Sequence, residues 1–156
     1  MMIFDKSRFL KIFTIASFLV SCESDGGFDP TTEQRIDFEK FTLVTPLDWV
    51  RFYPQGTDGF FGGLTNNRDT LYFDYGVFSF SSIDGIKENN GTISFQELMV
   101  GGYSSKIVLE KREGEISTRF SFYSDKKDGK NLNRVYCYAP VNQGLIKSIF
   151  LSHRFK

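Results

Sequence analysis

Five residue types in this chain could carry chemistry, and their spacing decides how much. His153 is the only histidine, and Ser152 and Arg154 flank it. A hydrolytic triad needs a nucleophile and a base brought together from separate elements, and mere adjacency in sequence does not supply that. His153 therefore reads as a surface or strand-end residue. The cysteines are Cys22 and Cys137. Cys137 falls between Val135 and Ala139 on one face of an alternating segment, where a thiol behaves as a small buried hydrophobe. Asp58 and Asp74 sit in glycine-rich, aromatic company. They are the candidate paired carboxylates, or acceptors for sugar hydroxyls, and the plainer reading makes them turn caps and backbone acceptors. Tyr75 and Phe78 follow Asp74 closely and join it as candidate ligand contacts. Asp125 to Gly129 lacks the carboxylate spacing of a calcium loop and reads as a solvated turn. The glycines from Gly56 to Gly63 lack the lysine of a phosphate cradle. Neither a metal set nor a cofactor motif is expected.

The elements that must position these residues are mostly strands. The chain has 156 residues, with 18 Phe and 7 Tyr, and aromatic side chains favour pleated, half-buried surfaces. From Glu39 onward, short alternating runs are divided by turn signals. Strands are expected over Lys40–Thr45, Trp49–Tyr53, Gly59–Thr65 and Thr70–Phe80, the last with Leu71, Phe73, Tyr75 and Val77 on one face. Gly101-Gly102 marks a two-residue hairpin between Thr92–Val100 and Tyr103–Lys111. Glu115–Tyr123 alternates, with Ile116, Thr118, Phe120 and Phe122 sharing a face, and Leu132–Ala139 follows. After Pro140 the period becomes helical, with Leu145, Ile146 and Ile149 on one stripe of a helix over Val141–Leu151. Ser152–Lys156 adds a last short strand. The expected fold is α+β: about seven or eight mostly antiparallel strands with one C-terminal helix. One helix covers only part of such a sheet, so a β-barrel or sandwich is the alternative.

The amino terminus has a different plan. Lys6, Arg8 and Lys11 precede a nine-residue apolar run, Ile12 to Val20. That is a secretory signal pattern, too short for a spanning helix, which needs about 20 residues. The run closes on Leu19-Val20-Ser21-Cys22. This block resembles the lipobox of bacterial lipoproteins. The resemblance implies cleavage before Cys22, diacylglycerol on its thiol, fatty acid such as palmitate on the new amino terminus, and a place in the cell envelope, most naturally the outer membrane. Residues 1–21 are then a signal peptide, 22–36 the lipidated cysteine and a tether, and 37–156 one globular domain. Acidic residues after Cys22 are similar to surface-export signals of Bacteroidota lipoproteins, and Asp69-Thr70-Leu71 resembles their O-glycosylation motif, with Thr70 as acceptor. Gly56-Thr57-Asp58-Gly59-Phe60-Phe61-Gly62 followed by Phe73-Asp74-Tyr75-Gly76-Val77-Phe78-Ser79 is similar to a pattern in small uncharacterised lipoproteins of Bacteroidota. The layout also resembles, more distantly, the PsbP/Mog1 fold of binding and assembly factors.

Charge narrows the partners. Nineteen basic residues balance nineteen acidic ones. Removing residues 1–21, with three basic and one acidic, leaves 16 against 18. No basic footprint for nucleic acid results. The expected partners are a membrane, through the lipid, and an envelope protein or small ligand. The leading reading is a non-enzymatic binding or envelope-assembly domain. Rival readings are a carbohydrate- or lipid-binding module using exposed members of Tyr72, Tyr75, Phe78 and Phe80, and an enzyme using Asp58 or Asp74. The anchor is directly testable. Cys22→Ser should abolish incorporation of a fatty-acid analogue and leave an uncleaved or soluble species; equal labelling of variant and wild type would refute the lipobox.

Overall fold

Alternation in the sequence becomes two faces of a sheet in space. A computed structural model of the chain describes residues 31–53, 60–75, 82–111, 113–126 and 132–156. The strands are β1 (Glu33–Asp37), β2 (Phe41–Pro46), β3 (Val50–Phe52), β4 (Phe60–Thr65), β5 (Thr70–Tyr75), β6 (Thr92–Val100), β7 (Tyr103–Glu110), β8 (Arg119–Asp125), β9 (Leu132–Tyr138) and β10 (Arg154–Phe155). One α-helix, α1 (Gln143–Leu151), precedes β10, and a 3-10 turn occupies Ile83–Gly85. Seven strands form an antiparallel sheet in the order β3-β4-β5-β9-β8-β7-β6, and three form a second sheet, β1-β2-β10.

The expected α+β class holds. The sheet is open, ending at β3 and β6, and the cover that one helix could not provide comes from the second sheet. Leu71 and Phe73 of β5, Val135 and Cys137 of β9, and Phe120 and Phe122 of β8 lie in one core with Phe41 and Leu43 of β2 and with Ile146, Ile149 and Phe150 of α1. Phe150 stacks on Phe122 at 5.6 Å, and Phe41 meets Phe73 edge-on at 5.2 Å. This side is the core face of the large sheet; the other is its far face. The PsbP/Mog1 layering would need helices on both faces, and the described residues place one, on the core face.

Local signals explain most boundaries. Gly101 and Gly102 both take positive φ, as a tight hairpin turn requires. Asn142 caps α1, its side chain accepting from the Leu145 amide at 3.0 Å. Three expectations are corrected. The tether does not run to residue 36, because Glu33–Asp37 is a strand whose Ile36 pairs with Leu43. The strand expected from Glu115 begins only at Arg119, and Ile116, expected on the buried face, is 99% exposed. Gly114, at φ 81°, turns the chain just before it. Ala139 leaves the face of Val135 and Cys137, because its own φ of 43° ends β9 there. Residues 76–80 of the long expected strand lie outside the described residues.

The helix offers a clean contrast. Ile149 is buried in the core, so Ile149→Ala should destabilise by about 2–5 kcal/mol through lost burial and a cavity. Lys147 reaches Gln96 from a half-exposed position, so Lys147→Ala should cost within about 1 kcal/mol. Urea melts measure both, and equal losses would mean that α1 does not pack by its 3.6-residue stripe.

Candidate functional site

Register places the far-face side chains in rows. Across β4, β5, β9 and β8, Gly63 pairs with Tyr72, Tyr72 with Tyr136, and Tyr136 with Ser121. The next row holds Phe61, Asp74, Arg134 and Tyr123. With strands about 4.8 Å apart, four of them present a surface about 15 Å wide. Tyr72 and Tyr136 stack at 5.6 Å with 27° between planes, and Tyr138 stands edge-on to Tyr136 at 5.6 Å. Phe52 reaches in from β3 and meets Tyr72 edge-on at 6.0 Å. Gly63 makes room for it, since a Cβ there would run into the Phe52 ring and the Leu71 carbonyl.

Arg134 gives the aromatic row its charge. Its guanidinium carbon lies 4.2 Å from the Tyr136 ring centre, a cation–π contact that holds the side chain flat. Its Nη1 is 4.0 Å from Asp74 Oδ2, too long for a hydrogen bond, and its buried Nε has no partner among the described residues. Burial raises the Asp74 carboxyl above the ordinary carboxylate range, and Arg134 opposes that only in part. Ser121, completely buried beside Tyr136, likewise has a hydroxyl without a partner among the described residues. Tyr72 and Tyr138 remain exposed. The arrangement offers ring faces for stacking, one guanidinium donor and one carboxylate acceptor.

Part of the far face beside this row is covered. Ile83 and Ile86, around the 3-10 turn, pack on Val108, Tyr123 and Leu132. A cleft of about 690 Å³ opens between that turn and the β6–β7 hairpin, lined by Asp84, Glu97, Lys106 and Asp125 among others. Its polar groups already hold one another: Lys106 bonds Ile86 O at 2.9 Å and Glu97 at 2.8 Å, and Asp125 accepts from the Ile83 amide. The aromatic row is the better site because its exposed rings stand beside a guanidinium whose Nε has no partner among the described residues.

The residues singled out from sequence separate in space. Asp74 is on the far face, whereas Tyr75 points to the core face, where it stacks over Phe41 at 6.3 Å. Neighbours in a strand cannot serve one site. Thr70 is half-buried and its hydroxyl meets that of Thr65 at 3.1 Å. Asp69, its neighbour, is buried and accepts from the Val141 amide. Cys22, Asp58 and Phe78 lie outside the described residues. Sequence reading missed Arg134, Tyr136 and Tyr138, although the signal was present: putting Val135 and Cys137 inside puts these three outside.

His153 does stand at a strand end, just before β10, but it is not on the surface. It is fully buried, boxed by Phe41, Phe122 and Phe155 at 4.6–5.3 Å. Its Nε2 meets Asn133 Nδ2 at 2.9 Å, and its Nδ1 has no partner among the described residues. Ser124 and Ser105 continue this polar row on the core face, bonded to each other at 3.0 Å. Cys137 is buried as expected, and burial pushes its thiol up to about 11, which suppresses the reactive thiolate.

Comparison with known proteins supports the architecture alone. No family model matches the chain, and no curated protein matches it. A crystal structure of a protein from Bacteroides thetaiotaomicron VPI-5482 is similar, with a TM-score of 0.51 and 13% identity over 80% of this chain. The match takes in 48% of that protein, so this chain spans about half its length. Likeness at such identity establishes fold and not function.

Acid should act through His153. Burial, with a smaller push from Arg154, brings its imidazole down to about 3, while the unfolded chain titrates near 6.5. The group is therefore neutral when folded. Its contribution is whole above pH 6.5 and is lost as pH falls toward 3. Between pH 7 and 4.5, wild type should lose about 2–3 kcal/mol more stability than His153→Phe. Parallel pH profiles for the two would show that His153 is not held neutral.

Proposed function

We propose that this chain is a lipid-anchored envelope protein, held through Cys22, whose domain binds a ligand on the far face of its sheet without catalysing a reaction. One observation carries the reading: Tyr136 packs on a guanidinium that lies 4.0 Å from its carboxylate neighbour, and the exposed Tyr72 and Tyr138 flank Tyr136. A carbohydrate suits this surface best. The apolar face of a sugar ring stacks on tyrosine, while Arg134 and Asp74 offer a donor and an acceptor to its hydroxyls. A lipid chain would leave that pair unmatched in an apolar contact. The lipobox block and the charged, short apolar leader support the envelope setting.

The binding surface predicts its own disruption. Screened against envelope and capsular glycans, the protein should retain a saccharide. Tyr72→Ala should then weaken that binding about tenfold, the equivalent of ~1.4 kcal/mol. Tyr72 is exposed, so folding is spared. A saccharide held equally well by Tyr72→Ala would place recognition elsewhere, and failure of every glycan would remove the carbohydrate reading.

A further inference from the structure

An end row of the large sheet, with the buried Arg119–Glu110 ion pair at its middle, has exposed apolar side chains at its margins and in the adjoining turns. Val50, Thr65 and Thr70 follow one another across β3, β4 and β5; Tyr138, Arg119, Glu110 and Thr92 continue the row across β9, β8, β7 and β6. Ten large hydrophobic side chains are exposed among the described residues. Val50 and Tyr138 stand in this row and Ile93 follows Thr92, while Leu47, Ile116 and Val141 lie in the turns leading into or out of it. That is six of the ten at one end of one sheet. Ile116 is 99% exposed and Val141 73%. Single exposed hydrophobics are ordinary; their collection on one end is not.

The chain outside the structure arrives at this same end. Glu33, the first residue of β1, pairs with Pro46. Gln34 then ties β1 to the turn into β3, its side-chain amide donating to Pro46 O and Leu47 O at 3.1 Å and to Trp49 O at 2.7 Å. Ten residues separate Cys22 from Glu33, a reach of at most about 35 Å. Exposed charges here are mixed, with Arg68 and Lys111 against Asp48 and Glu113, so apolar contact and not attraction to anionic lipid would dominate.

We infer that this end of the domain is its membrane-facing surface, with Leu47, Val50, Ile116 and Val141 entering the headgroup region of the bilayer that holds the lipid on Cys22. The inference rests on the anchor proposed above. It fixes the sheet with its strands rising from the membrane, Tyr138 at the headgroup boundary, and Tyr72 and Tyr136 facing sideways above it.

Single-cysteine labelling tests it on the full chain, processed from its own leader in a Gram-negative host. The protein is reconstituted into phosphatidylcholine vesicles whose acyl chains carry bromine. Ile116→Cys, Val141→Cys and Met99→Cys each receive a bimane probe; Met99 is exposed and lies at the opposite end of β6. Native Cys137 is buried and stays unlabelled. Bromine should quench most of the fluorescence at 116 and 141 and little at 99. Co-flotation with vesicles but no quenching at 116 and 141, or equal quenching at all three, overturns the membrane-facing end alone. Failure to float with the vesicles overturns the anchor and this inference together.

Discussion

The rest of the structure depends on the register of β9 between β5 and β8. Leu71 and Phe120 both pair with Cys137, and Phe73 and Phe122 both pair with Val135. That alignment sends Asn133, Val135 and Cys137 to the core and Arg134, Tyr136 and Tyr138 to the far face. A slip of one residue would exchange the sets, burying a guanidinium and two phenols against α1. Burying an unpaired charge costs far more than any contact on the far face returns. The core therefore dictates the site: the aromatic row exists where it does because its sequence neighbours must be inside.

That dependence explains what was legible in the sequence. Alternation in β5 and β9, the glycine pair of the β6–β7 hairpin, and the helical stripe of α1 are local signals, and they translate directly. Ile116 and Ala139 show where the rule stops. The pattern runs on through both, but positive φ at Gly114 and Ala139 ends the pleat there, and backbone conformation is not written in hydrophobic period. β1 was missed because Ile36 is its single buried residue, too little for a pattern. His153 was misread because its surroundings come from β2, β8, β9 and β10, none adjacent to it in sequence except β10. Asn133 held the clue, being a polar residue of core parity that must find a partner.

The core face is not wholly apolar, and its polar row has a consequence for specificity of packing. Asn133, Ser124 and Ser105 stand side by side across β9, β8 and β7, and Asn133 bonds the imidazole of His153. Two atoms there, Asn133 Oδ1 and His153 Nδ1, are buried without a partner among the described residues. Such groups are expensive in any arrangement that leaves more of them unmatched. The Asn133–His153 contact thus ties the last residues of the chain to the centre of the sheet, where Phe155 and Lys156 close against β2 and Lys40.

The two ends of the seven-strand ladder bear on how molecules of this protein behave when crowded. A free edge is a template for strand addition by another copy. Here one edge, β3, is only three residues long, and the other, β6, carries a register irregularity between Thr92 and Ser94 and an exposed Glu97 paired to Lys106. A short strand offers little to pair with, and such an irregularity takes the line of amides out of register for a neighbour. Both edges therefore carry features that disfavour pairing with the edge strand of another copy.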